Sequence, residues 1–295
     1  MPLPWITVPY EVAAEPLRTI PLEEVIVSVL PPDEDDEASG LTPIMNPSML
    51  REGWETGFWV ILDEPPVEKA LARMGRRPTS VGEKSRWEIE IVPAYVKNGL
   101  PDATGDCEAI ARLGDHVYIF GSHFGRKKGP LEDERHFVAR FKDRPAGQAG
   151  IEIEVAPNHF LLHRLINDAL TSHGIELIER GPAEYDKYIA KTLKKETEAA
   201  KHVRQEDRAV NIEGAAFTKS GTLLLGLRYP VTRQGNPIII EIEGIERLFT
   251  GGKPVIRRFR VVENVGTLQE PTGIRDMLTH DSSLEILTGN LDRFA

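Results

Sequence analysis

An internal copy constrains this chain more than any other feature. Residues 106–125, DCEAIARLGDHVYIFGSHFG, lie over residues 211–230, NIEGAAFTKSGTLLLGLRYP, without a gap at an offset of 105. Glu108 then falls on Glu213, Ala111 on Ala216, Gly121 on Gly226 and His123 on Arg228. A third copy starts at Gly273, where Asp276 precedes Gly289 by 13 residues, as Glu108 precedes Gly121 and Glu213 precedes Gly226. A degenerate first copy places Ser39-Gly40-Leu41 where Glu213-Gly214-Ala215 stands later. Recurrence at this scale means stacked supersecondary units, each burying a face against its neighbours.

Between the copies, short β-type runs alternate with turn residues: 41–44, 58–62, 87–92, 137–141, 151–155 and 238–242, with a further run at 24–30. That rhythm predicts an all-β sandwich, barrel or propeller. An acidic strand start, a turn and a strand ending in Gly match the inner strands of propeller blades, where Gly lets crowded backbones approach. The expected fold is a β-propeller of about five blades, six being the variant, in one domain over 1–295. Strand 24–30 would supply an outer strand to close the ring.

One stretch breaks the pattern. From 158 to 208 the periodicity is helical, with a stripe of Phe160, Leu161, Leu165, Ile166, Ala169 and Leu170 stopped by Gly174, then a Lys/Glu-rich helix from about 183 to 207. This reads as a two-helix insertion between blades.

Composition narrows the partners. A net charge of −10 argues against nucleic acid and against anionic lipid, both of which need clustered Lys and Arg. The single cysteine, Cys107, excludes an intramolecular disulfide. The start, MPLPWITVPY, lacks the basic and apolar regions of a secretion signal, and no apolar run approaches the roughly 20 residues of a membrane span. A cytoplasmic protein is expected, with a small anionic molecule or a protein as partner. The acidic run 33–37 reads as a solvated loop.

Asp106-Cys107-Glu108, Gly121-Ser122-His123, Ile212-Glu213-Gly214, Gly226-Leu227-Arg228-Tyr229-Pro230 and Gly273-Ile274-Arg275-Asp276 occur in an order that resembles a bacterial propeller family, domain of unknown function 3616. More distantly the chain is similar to the phytase-like and esterase-like propellers. Ala109 stands where those blades carry Gly, and Cys107 takes an apolar position. The resemblance implies a propeller and brings no settled activity with it.

The repeated acids are the candidate site. Asp106, Glu108, Glu213 and Asp276 on inner strands would converge at one end of a channel. Carboxylates so close must take up a proton, pair with a cation or bind a metal. An all-oxygen set suits Ca²⁺ better than Zn²⁺. His123 and Arg228, two residues past the repeated Gly, would lie at the channel mouth as catalytic groups, one moving a proton and one stabilising an anion. Two functions follow: a metal-assisted hydrolase of a small phosphorylated or ester substrate, or a non-catalytic platform whose acids, and Arg228 as their ion-pair partner, serve the fold. The basic loop 125–129 reads as solvated surface. His159 and His163 stand four apart, but the segment lacks the Glu of an HExxH metal site. No nucleophile elbow, P-loop or dinucleotide fingerprint is present.

Overall fold

The computed structural model describes residues 6–8, 37–78, 86–97, 103–126, 129–144, 150–178, 185–280 and 283–291. Strand β1 (Ile6–Val8) comes first. A four-stranded antiparallel meander follows: β2 (Ala38–Pro43), β3 (Thr56–Leu62), β4 (Leu71–Arg77) and β5 (Arg86–Ile91). The second sheet contains β6 (Ala94–Lys97), β7 (Cys107–Leu113), β8 (His116–Gly121), β9 (Val138–Lys142) and β10 (Ile151–Val155). Its order is β6-β10-β9-β8-β7, with β6 parallel to β10 at the outer edge.

Helices α1 (Leu161–Ser172), α2 (Tyr185–Thr192) and α3 (Glu198–His202) then interrupt the strands. The third sheet is built from β11 (Asn211–Phe217), β12 (Leu223–Tyr229), β13 (Ile238–Glu243) and β14 (Val255–Val262), with β1 added parallel to β14. A hairpin of β15 (Thr272–His280) and β16 (Ser283–Asn290) completes the described sheets. The expected strand 24–30 lies outside the described residues, as does the acidic run 33–37 apart from Glu37.

One edge strand of each of the four sheets lies beside the next in chain order, β2 against β7, β7 against β11 and β11 against β15. Backbone clasps join consecutive sheets. The Cys107 N–H donates to the Asp63 carbonyl (3.0 Å), just past β3, and the Ile212 N–H donates to the Ser122 carbonyl (2.9 Å), just past β8. Crowding at these seams needs Gly: a Cβ at Gly226 would meet Ile274 Cγ2 of the next sheet at 2.6 Å. Two large apolar cores fill the spaces, one with Trp59, Leu71, Ile119 and Phe141 between the first and second sheets, the other with Phe120, Ile166, Leu225 and Phe259.

The copies are real, but their register corrects the gapless match. Each hairpin carries a β-bulge on its first strand, and the bulged residues are Ser39, Glu108, Glu213 and Arg275. Cys107 pairs with Gly121, whereas Gly214 pairs with Gly226 and Ile212 with Leu227. Leu227 therefore stands where Gly121 does, and Arg228 corresponds to Ser122 rather than to His123. One extra residue in the turn explains the slip: four residues separate the paired Arg112 and Val117, five separate Phe217 and Leu223. In the last hairpin the equivalent of Glu213 is Arg275, and Asp276 is one position beyond.

The helical insertion stands where expected, with its interior different. Gly174, at φ +61°, ends α1 in the left-handed conformation that Gly adopts without a steric cost. The buried face of α1 carries Leu162, His163, Ile166, Asn167 and Leu170, so two polar residues share it with the leucines. The single second helix expected over 183–207 is instead two short ones. Thr197 takes an extended conformation (φ −104°, ψ 167°) and its hydroxyl accepts from the Ala200 N–H, capping α3 anew. Asp133, in the connection before β9, accepts from the Glu198 and Ala199 N–H groups at 3.0 and 2.7 Å. No helix among the described residues is long and apolar enough to cross a membrane.

Candidate functional site

The bulges decide where the acids point. A bulge leaves one residue outside the ladder and re-aims its side chain, and here it sets Glu108 and Glu213 on the two sides of the β7–β11 seam, close enough for their charges to interact.

Glu213 is buried and fully engaged. Its Oε1 accepts from Arg228 and, at 3.4 Å, from Asn211 Nδ2; its Oε2 accepts from Arg275 Nη1 at 3.1 Å. Burial pushes this carboxyl up, and the two guanidinium groups oppose the rise. Arg275, from the last hairpin, thus closes a bridge between the third sheet and β15, and its Nη2 also donates to the Asn290 carbonyl.

Asp106 sits at φ +60°, buried just ahead of β7, with Arg135 Nη1 2.6 Å from Oδ1. Burial raises its carboxyl while Arg135 and the Ser122 hydroxyl oppose that. Arg135 reaches Glu132 as well, at 2.8 Å. Glu108 lies between these two ion-paired acids. Its side chain keeps some contact with solvent, and among the described residues it makes no hydrogen bond or ion pair. Enclosure by protein, then the charges of Glu213 and Asp106, push its carboxyl well above the usual range, Arg228 opposing. Glu108 therefore favours the neutral acid form, able to donate as well as accept a hydrogen bond.

The other two expected site residues stand apart. Asp276 accepts from its own neighbour, the Met277 N–H, at 2.7 Å, and burial alone raises its carboxyl to about 6; no other acid contributes. His123 is fully buried at φ +58°, and the ionisable groups that act on it are His136 and His159, not the carboxylates. Among the described residues, no three His, Cys, Asp or Glu side chains are grouped to hold a metal ion.

The sequence reading misses Arg135 and names Arg275 only as the neighbour of Asp276. The bulge register would have promoted Arg275, since it occupies the repeated acid's own position. Nothing local marks Arg135, which arrives from a short helical turn before β9.

Fold and site together define a mostly β protein of side-by-side antiparallel sheets with a carboxyl–guanidinium cluster where their edge strands meet. The chain belongs to the family described as protein of unknown function DUF3616, which it matches over residues 53–292. Among curated proteins none matches it.

Proposed function

We propose that this chain is a β-propeller of about five blades that binds a small, oxygen-rich anionic molecule at the inner ends of its strands, with Asp106 and Glu213 serving the assembly rather than chemistry. The chain-order contact of edge strands supports the radial arrangement. The observation that carries the functional reading is the neutralisation of Glu213 by Arg228 and Arg275 from two sheets. Arg228, Asn211 and Arg275 already take up three of its roughly four lone-pair sites and offset its charge, which leaves it poorly suited to hold a cation. Glu108, neutral and in contact with solvent, is the group that would donate to a ligand oxygen.

Thermal midpoints of wild type, Glu108→Gln and Glu213→Gln, each with and without Ca²⁺, test this. Glu213→Gln should melt several degrees lower in both conditions, because it leaves two guanidinium groups against a neutral amide. Glu108→Gln should leave the midpoint unchanged or raised. A Ca²⁺-dependent rise in wild type that both variants lose would overturn the reading.

That outcome would favour the second reading, a metal-assisted hydrolase of a small phosphorylated or ester substrate. The carboxyl of Glu108, without a hydrogen-bond partner among the described residues and acted on by the charges of Glu213 and Asp106, supports it. That reading would need Asp276 and His123, which stand apart, to join Asp106, Glu108 and Glu213 around a site that would hold Ca²⁺, with Arg228 placed to stabilise a developing anion and His123 to move a proton. It requires turnover of a phosphomonoester or ester that a chelator abolishes.

A further inference from the structure

Three histidines converge where the helical insertion meets the second sheet. His123 follows β8, His136 precedes β9 and His163 lies on α1; all are fully buried. The His123 and His136 ring centroids are 5.2 Å apart, and those of His136 and His163 5.3 Å. The same contact carries the insertion's anchoring: Phe160 stacks on His136 (4.6 Å) and on His202 of α3 (4.8 Å), and Phe124 stacks on Tyr188 of α2 (4.2 Å). Behind them Phe124, Leu131, Tyr229, Val231 and Leu291, all at or beyond the ends of second strands, share one apolar cluster with the insertion. The helices therefore cover the strand ends beside Arg228.

Hydrogen bonds fix two of the tautomers. His136 Nδ1 lies 2.7 Å from the Glu132 carbonyl, so Nδ1 carries the proton and Nε2 is a bare lone pair without a partner. Asn167 takes the Arg208 N–H on its Oδ1 (2.7 Å), and its amide nitrogen donates to the His163 and Arg208 carbonyls (3.2 and 3.1 Å) while lying 3.2 Å from His163 Nε2. An amide nitrogen cannot accept, so His163 Nε2 faces it as a lone pair and the ring proton sits on Nδ1, which has no partner among the described residues. Among the described residues these rings do not form a group of three ligands placed to hold a metal ion. What the arrangement does is penalise a second proton on either ring. On His136 it would add a buried donor with nothing to accept it; on His163 it would confront the Asn167 amide N–H.

We propose that His123, His136 and His163 form an acid-sensitive latch, which holds the helical insertion over the strand ends while the rings are neutral and releases it when they protonate. The charged and titratable groups around them give little relief: His159, Arg135 and Arg164 add to the repulsion, and Asp133 alone opposes it. Burial holds His136 at about 4 and depresses the other two well below 6.5. A depressed histidine contributes stability that is complete above 6.5 and is lost as pH falls from there toward the folded value. For His136 alone, between pH 7.5 and 4.5, the opening equilibrium shifts by roughly 50- to 100-fold.

Hydrogen–deuterium exchange on the full chain, corrected for intrinsic exchange rates, tests the latch without any ligand and so independently of the site's function. Amides of α1 should lose at least tenfold more protection than those of β3 and β4 between pH 7.5 and 4.5. In His163→Leu that extra loss should shrink by about tenfold, and His136→Gln should shrink it likewise if the leucine variant fails to fold. Equal loss in α1 and the first sheet, or an unchanged loss in the variants, would overturn the proposal.

Discussion

Replacing Asp276 with asparagine should stabilise the protein at neutral pH. Its carboxyl is drawn out of water by the β11–β15 seam and rises from 3.8 to about 6, with only the Met277 N–H in compensation. The folded state therefore prefers this group protonated. The burial cost is nearly absent at or below pH 3.8 and complete above about 6. A rise of that size corresponds to about 3 kcal/mol, from 1.36 kcal/mol per pH unit. The group keeps partial contact with solvent, and screening reduces this to about 1.5 kcal/mol. Asparagine retains Oδ1 to accept from Met277 and carries no charge to desolvate. Urea denaturation followed by far-ultraviolet circular dichroism should thus give Asp276→Asn about 1.5 kcal/mol more stability than wild type at pH 7.5. At pH 4 the gain should fall to about 0.5 kcal/mol by the same linkage. A variant no more stable than wild type at pH 7.5, or one whose gain is the same at both pH values, would refute the reasoning.

Three further outcomes follow from contacts already described or closely related to them. Asp143 is buried and accepts from the Met45 and Asn46 N–H groups, Trp59 Nε1 and Arg112, so Asp143→Ala should cost about 3–5 kcal/mol in chemical denaturation, like other broken buried ion pairs. Gly121→Ala would drive a Cβ into the Arg135 carbonyl oxygen and to 2.7 Å from the Phe137 ring; a loss of about 1–3 kcal/mol is expected, and an unchanged midpoint would show that the seam can relax. Glu213→Gln and Arg275→Met should be non-additive by about 1–3 kcal/mol in a double-mutant cycle, because each single change strands the other's partner.

The sequence carried the repeat, the insertion and the acids Glu108 and Glu213, because a β-run closed by turn residues and an acid at fixed spacing are local signals. Ser39, weakest of the four copies by residue type, does occupy the same bulge. Register was harder. One additional residue between Phe217 and Leu223 shifts every partner on β12, and nothing in the side chains flags it. Asp276 looked like the third acid because it too is a carboxylate 13 residues before a Gly, whereas the ladder puts Arg275 there. β4 (LARMGRR) hid because basic residues and a glycine dilute its apolar alternation. Arg135, Asp143 and His136 stayed illegible for a common reason: each gains its meaning from a partner on a distant segment.

The clasps at Cys107 and Ile212 have an evolutionary consequence. Both contacts are made by a main-chain amide to a main-chain carbonyl, so they are indifferent to the identity of the residue that supplies them. A cysteine serves in one copy and an isoleucine in the next. Only proline, which has no amide hydrogen, would abolish the contact at either position. Successive sheets can therefore drift apart in sequence while the joint between them is inherited intact, and a repeat can fade from the letters long before it fades from the backbone.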